Sequence, residues 1–302
     1  MANERAALAD ESTVRKKPMY ENIVVAFDNT EFSKAAVIEV ANRIRMNGGR
    51  VTLVHAVYFD EEEFGNAPEQ LERRFEAGRK VCTQTKETLL KEFRVEGEAL
   101  VCEGEPPEVI VNVARERKAD LIAMGTYGRK GLKRLIMGSV TSGVIVNAPC
   151  DVLVVRKPCT ECTGLYSSIL VPFDGSGSSV KALERACNLS VNESAGIRVL
   201  YVIPRYEEMV GFFRTESIRK SLTAEAQKVL DLAKATAAQH GAAIQTETGE
   251  GHAADEIIKA ASAGSDLIVM GTYGWKGVNR AIMGSTTERV IMNASCPILV
   301  TR

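Results

Sequence analysis

The amino-acid sequence predicts an α/β protein of two tandem doubly wound domains, each a five-stranded parallel sheet with helices on both faces. Three observations carry this expectation. A glycine-spaced stretch, MGTYGRKGLKRLIMGSVT, occupies 124–141 and returns as MGTYGWKGVNRAIMGSTT at 270–287. Aligned without a gap, residues 118–156 and 264–302 are identical at 24 of 39 positions. In each half, short apolar runs alternate with amphipathic segments, the pattern of buried parallel strands joined by crossover helices.

The offset between the copies, from Gly125 to Gly271, is 146 residues, far beyond the ~20–50 residues of a solenoid unit. A whole domain has been duplicated. The chain of 302 residues agrees, since domains usually run to ~100–200 residues. The expected organisation is a charged N-terminal tail at 1–19, a first domain at 20–156, a linker at 157–166 and a second domain at 167–302.

Within the first half, ENIVVAF reads as a strand ending in Asp28-Asn29-Thr30, followed by the amphipathic SKAAVIEVANRIRM and a Gly48-Gly49 stop. RVTLVHAV is the second strand, and Pro68–Phe93 a long second helix. EGEALVC, PEVIVNVARERK and DLIAMG continue as strand, helix and strand. A helix over Ser139–Val146 and a fifth strand, DVLVV, complete the half. The second half repeats the series with SSILVPF, VKALERACNLS, IRVLYVI, a helix around Ser217–His240, AIQTETG, DEIIKAAS, DLIVMG and PILVT. Right-handed crossovers make such a sheet doubly wound, and its ligands bind at the carboxyl ends of the strands. DVLVV would leave an apolar edge open to association; its copy PILVT is the natural partner. The two halves are therefore expected to pair through their last strands as an intrachain pseudo-dimer.

Composition excludes several classes. Apolar residues make up 45% and charged residues 25%, with a net charge of −1, so nothing draws the chain as a whole to nucleic acid or a membrane surface. The longest apolar runs are too short to span a bilayer, and the N-terminus lacks the apolar core of a signal peptide. A cytoplasmic location is the expectation. Seven cysteines are too few and odd in number for a disulfide framework.

The glycine stretches have chemistry of their own. Gly125-x-x-Gly128 is followed after nine residues by Gly138-Ser139-Val140-Thr141; the second copy has Gly271-x-x-Gly274 and Gly284-Ser285-Thr286-Thr287. Glycine lets backbone approach a ligand closely, consecutive amides form anion nests, and a Gly-Ser step opening a helix presents hydroxyls and the positive end of the dipole. Together they suit phosphates. Arg129, Lys130, Lys133 and Arg134 add cations to the first loop, Lys276 and Arg280 to the second. The plainer alternative is that the glycines only shape turns.

With its MGTYG, nine residues, Gly-Ser and the endings NAPCDVLVVR and NASCPILVTR, the chain resembles the universal stress protein family, in tandem, over almost its whole length beyond the tail. The resemblance implies a Rossmann-like five-stranded sheet, association through the last strand and, in the glycine-retaining branch, ATP binding. It implies phosphate contacts from the glycines and from Ser139 and Ser285, with the neighbouring Val140, Thr141, Thr286 and Thr287. Asp28 and Asp174 would face the nucleotide near the adenosine or its metal, and the backbone of Ala56 and Val202 would meet the adenine. The implied cofactor is ATP, with Mg2+ as its companion, and the implied role is a nucleotide-dependent stress-response regulator with slow or no hydrolysis. Departures are Asp151 and Ser295 where the family ending resembles Asn-Ala-Pro-Cys-Pro, and different first loops, Asp28-Asn29-Thr30-Glu31 against Asp174-Gly175-Ser176-Gly177. These bear on equal affinity in the two halves; the first loop, more cationic at Arg129 and Lys133, would hold phosphates more tightly.

Other signals are weaker. No GxxxxGK[ST] occurs, which argues against a Walker-type ATPase. Gly249-x-Gly251-x-x-Ala254 imitates a dinucleotide fingerprint but follows a third strand, as an ordinary βα turn would. Cys159-x-x-Cys162 has no neighbouring ligands to complete a zinc site. His55, His240 and His252 form no triad; His55 reads as a strand residue hydrogen-bonded near the sheet's end and His252 as a helix start. No catalytic residue or metal ligand is assigned. Two further readings stay open, an interaction scaffold and an adenine-nucleotide α-hydrolase-like enzyme, as do assembly into a homodimer and the identity of a protein partner.

Overall fold

The structure, a computed structural model, describes residues 18–58, 68–126, 137–156, 164–204, 216–272 and 283–302. The first half runs β1 (Asn22–Ala26), α1 (Glu31–Asn47), β2 (Arg50–Val57), α2 (Pro68–Thr88), β3 (Gly97–Glu103), α3 (Pro106–Glu116), β4 (Leu121–Gly125), α4 (Ser139–Asn147) and β5 (Asp151–Val155). The second runs β6 (Ser168–Pro172), α5 (Gly177–Glu193), β7 (Gly196–Ile203), α6 (Glu216–Gln239), β8 (Ile244–Glu250), α7 (Ala253–Ser262), β9 (Leu267–Gly271), α8 (Ser285–Asn293) and β10 (Ile298–Thr301).

Each half builds a parallel sheet in the order 3-2-1-4-5, and the two join into one sheet of ten strands, β3-β2-β1-β4-β5-β10-β9-β6-β7-β8. The junction is antiparallel, with Ile298 opposite Val154, Leu299 opposite Leu153 and Val300 opposite Val152. Every residue of β5 and β10 is buried. The apolar edge that each half would expose alone is thereby covered, as the uniform DVLVV and ILVT runs require.

Alternation along the strands divides the core into two layers. Val25, Leu53, Ala123 and Leu153 face α1, α2, α5 and α6, while Val24, Val54, Ile122 and Val152 face α3, α4, α7 and α8. Local signals set the helix ends. The Thr30 and Ser176 hydroxyls accept from the amides of Ser33 and Ser179 to cap α1 and α5. Gly48, at φ 85°, ends α1, and α3 opens on Pro106-Pro107. One helix departs from expectation. The long helix from Pro68 is α-helical only to Thr88; Leu89–Phe93 form a π-helical turn closed by Arg94 at φ 58°. This wider turn keeps Leu89 fully buried and leaves Leu90 exposed, which apolar periodicity alone does not show.

Candidate functional site

The carboxyl ends of the parallel strands gather most of the expected site residues. Asp28 and Asp174 lie two residues beyond β1 and β6, Ala56 and Val202 next to last in β2 and β7, and Gly125 and Gly271 close β4 and β9. Gly138 and Gly284 are the N-caps of α4 and α8, which open on Ser139-Val140-Thr141 and Ser285-Thr286-Thr287. Gly128 and Arg129 of the first loop and Gly274 of the second lie outside the described residues, as do Lys130, Lys133, Arg134, Trp275, Lys276 and Arg280.

The first loops are built alike despite their different sequences. Asn29 and Gly175 both adopt positive φ, 65° and 78°, which Asn and Gly tolerate best. Asp28 Oδ1 accepts from the Thr30 amide at 3.1 Å and its hydroxyl at 2.6 Å. Asp174 Oδ1 accepts from the Ser176 amide at 2.9 Å. Each carboxylate thus shapes the turn into the following helix. Asp28 is exposed and Asp174 half-buried.

The glycines divide into two physical classes. A Cβ on Gly125 would stand 2.4 Å from the carbonyl carbon of Phe32 and 2.6 Å from the Ser33 nitrogen; on Gly271 it would stand 2.6 Å from Ser178 Cβ and 3.0 Å from that residue's carbonyl carbon. These two glycines let the first turn of α1 or α5 press against the end of the fourth strand. Gly138 is different. It sits at φ −60° and ψ 140°, open to any residue, and a Cβ there would meet nothing within 4 Å. Gly284 has nearly the same backbone, φ −67° and ψ 140°. As glycines, the N-caps of α4 and α8 make no side-chain cap hydrogen bond, so these caps leave the first amides and the positive dipole ends of both helices to other groups.

In the second half these parts enclose a cleft of about 160 Å³. Asp174, Val202, Gly271, Thr286 and Thr287 all line it. The buried Thr287 donates its hydroxyl to the Gly271 carbonyl at 3.0 Å, tying α8 to β9. The remaining wall includes residues the sequence reading missed: Ser176, Ser178 and Ser179 from the turn into α5, and Ala253 and Ile257 from α7. The run Asp-Gly-Ser-Gly-Ser-Ser was a signal for the first three; nothing local marks the last two, which the fold brings from 80 residues away along the chain, ~Ala253 against Phe173.

The profile of the Universal stress protein family matches residues 19–156 and again 165–302. The chain belongs to the universal stress protein family. A universal stress protein of Methanocaldococcus jannaschii is 39% identical over 142 residues, 46% of this chain and 83% of that protein. One of Thermus aquaticus is 34% identical over 143 residues, 46% of this chain and all of that protein. A crystal structure of a universal stress protein from Archaeoglobus fulgidus covers 93% of this chain and 98% of its own, with a TM-score of 0.72 at 18% identity, a likeness of fold.

His55 Nδ1 lies 2.8 Å from the Phe27 carbonyl and so donates to it, holding the end of β2 to β1 as a structural histidine. His252 is the N-cap of α7, and Gly249 lies in β8 before that helix; GxGxxA is a strand-to-helix turn. Cys159 and Cys162 lie outside the described residues. Among the described residues no group of three His, Cys, Asp or Glu side chains is placed to hold a metal, and no helix is long and apolar enough to cross a membrane. The departure at Asp151 does have a structural reason. Its buried carboxylate accepts from Tyr20 Oη at 2.9 Å and from the Arg302 amide at 3.2 Å, and pairs with Arg185 Nε at 2.6 Å. A residue unlike the family ending is here a bond between the halves.

Proposed function

We propose that this tandem universal stress protein binds ATP in each half and acts as a nucleotide-dependent stress-response regulator, with slow or no hydrolysis. The observation that carries the reading is Gly138. Among the described residues neither its backbone angles nor its surroundings require glycine, which supports close approach of a ligand to the start of α4. In the second half the start of α8, at Thr286 and Thr287, lines a cleft together with Asp174, Val202 and Gly271. The amides opening α4 and α8, with Ser139 and Ser285, would take the phosphates. Asp28 and Asp174 would face the ribose or a phosphate-bound Mg2+, and the β2 and β7 ends at Ala56 and Val202 the adenine. Arg129, Gly128 and Gly274 complete the proposed set.

Titrating nucleotide-free protein with ATP by calorimetry tests this, with two sites expected and the first the tighter. Absence of binding at millimolar ATP to folded protein would end the proposal. Gly125 and Gly271 favour the second reading, a scaffold, as far as they go, because packing alone explains them. Replacing Gly138 and Gly284 by valine separates the two: lost ATP affinity supports the first, unchanged affinity the second.

A further inference from the structure

Between the halves, α1, α5 and β5 meet across the pseudo-twofold axis through polar groups, of which Arg43, Glu193 and Asp151 are buried and Arg185 partly exposed. Arg43 of α1 pairs with Glu193 at the end of α5, their side chains 5% and 1% exposed. The guanidinium also lies over the rings of Tyr20 and Tyr166, 5.5 and 5.7 Å from their centroids. Glu193 accepts in addition from the Tyr166 amide at 3.0 Å. The second pair is Asp151 with Arg185. Both pairs join one half to the other.

The 146-residue offset shows what each position faces under the pseudo-twofold. Arg43 corresponds to Leu189, Glu193 to Asn47, Asp151 to Pro297 and Arg185 to Glu39, while Tyr20 and Tyr166 correspond to each other. Two first halves paired in the same geometry would set Asp151 against Glu39 of the other copy, twice, and Arg43 against Asn47. Two second halves would set Glu193 against Leu189 and Arg185 against Pro297. The first arrangement buries like charges; the second buries Glu193 without a partner and leaves Arg185 unpaired. Either is strongly disfavoured in a dry interface. Only the first half against the second pairs all four groups.

We infer that this interface is heterotypic by construction: each half accepts the other half as its partner and rejects a second copy of itself. The backbone junction cannot supply that choice, because the facing residues Val152–Val154 and Ile298–Val300 are all apolar and their hydrogen bonds carry no side-chain identity. The charge pairs on α1, α5 and β5 supply it, through repulsion in the wrong pairings as well as attraction in the right one.

A protease site placed within 157–163 of the full chain, cut after purification, lets the halves exchange while native mass spectrometry counts the complexes. The expected population is the one-to-one heterotypic complex, with each homodimer at least roughly tenfold rarer than the 1:2:1 statistical mixture would give. Homodimers near statistical proportion would overturn the inference. The double variant E39R/N47E places complementary charges in a pair of first halves, Arg against Asp151 and Glu against Arg43. Its first-half homodimer is expected to rise roughly tenfold or more. A folded variant with no rise would also count against the code, and the wild-type measurement stands alone if the variant does not fold.

Discussion

Substituting Gly125 by alanine tests whether the glycine stretch is first a packing device. The added Cβ would lie 2.4 Å from Phe32 C, 2.6 Å from Phe32 O and 2.6 Å from Ser33 N. All three are backbone atoms in the first turn of α1, held by the Thr30 cap and by the helix itself, so no flexible side chain can yield. Relief must come from moving α1 off β4, with Ala35 and Ala36 behind it fully packed. Overpacking of this kind costs about 1–3 kcal/mol, and contacts this short with rigid atoms belong at the upper end. With ~2–4 °C of Tm per kcal/mol for domains of this size, a fall of about 4–10 °C is expected. Gly138→Ala is the internal control. Its Cβ meets nothing and its φ is ordinary, so urea unfolding should move by no more than about 1 kcal/mol, the range of N-cap exchanges. Equal stabilities for the two variants would refute the division of the motif into a packing glycine and an open one.

Two further outcomes can be checked. Glu39 is buried, and burial holds its carboxyl above the ordinary range against the lowering influence of Tyr166 and Arg43. The folded state therefore keeps a proton that the unfolded chain releases near ~4.3, so this group's contribution falls as pH rises from there to its raised pKa. Glu39→Gln should gain stability over wild type across that window in urea unfolding, and a difference that does not change with pH would contradict the assignment. Burial also pushes the Cys82 and Cys187 thiols up to about 11 and that of Cys150 to about 12. Alkylation at pH 8 followed by peptide mass mapping should leave these three unmodified in native protein and modify them in urea; rapid native labelling of Cys82 or Cys187 would show that they are not buried, and of Cys150 that its thiol is not held up.

Much of the fold was legible because its signals are local or repeated. Strand and helix identity followed from apolar patterning, and the stop at Gly48 from residue type. The pairing of β5 with β10 followed from two apolar strands that could not be left at an edge. The candidate site was legible to the extent that glycine and aspartate mark loop chemistry. The reasons for individual glycines were not. Gly125 and Gly138 look alike in sequence, yet one is pressed against α1 and the other borders open space, a difference set by a helix about 90 residues away. The π-turn at Leu89 also escaped, since it depends on which side chain the core accepts.

The sequence by itself determined the duplication, the βα order and the place of the glycine loops, because periodicity and turn chemistry act over a few residues. Only the tertiary structure decided what Asp151, Glu39, Arg43, Arg185 and Glu193 do. In sequence they are ordinary charges scattered over 155 positions, ~39 to 193. Folding gathers them into one seam, where all but Arg185 leave water and an unpaired buried charge is costly, and so their partners across that seam define them.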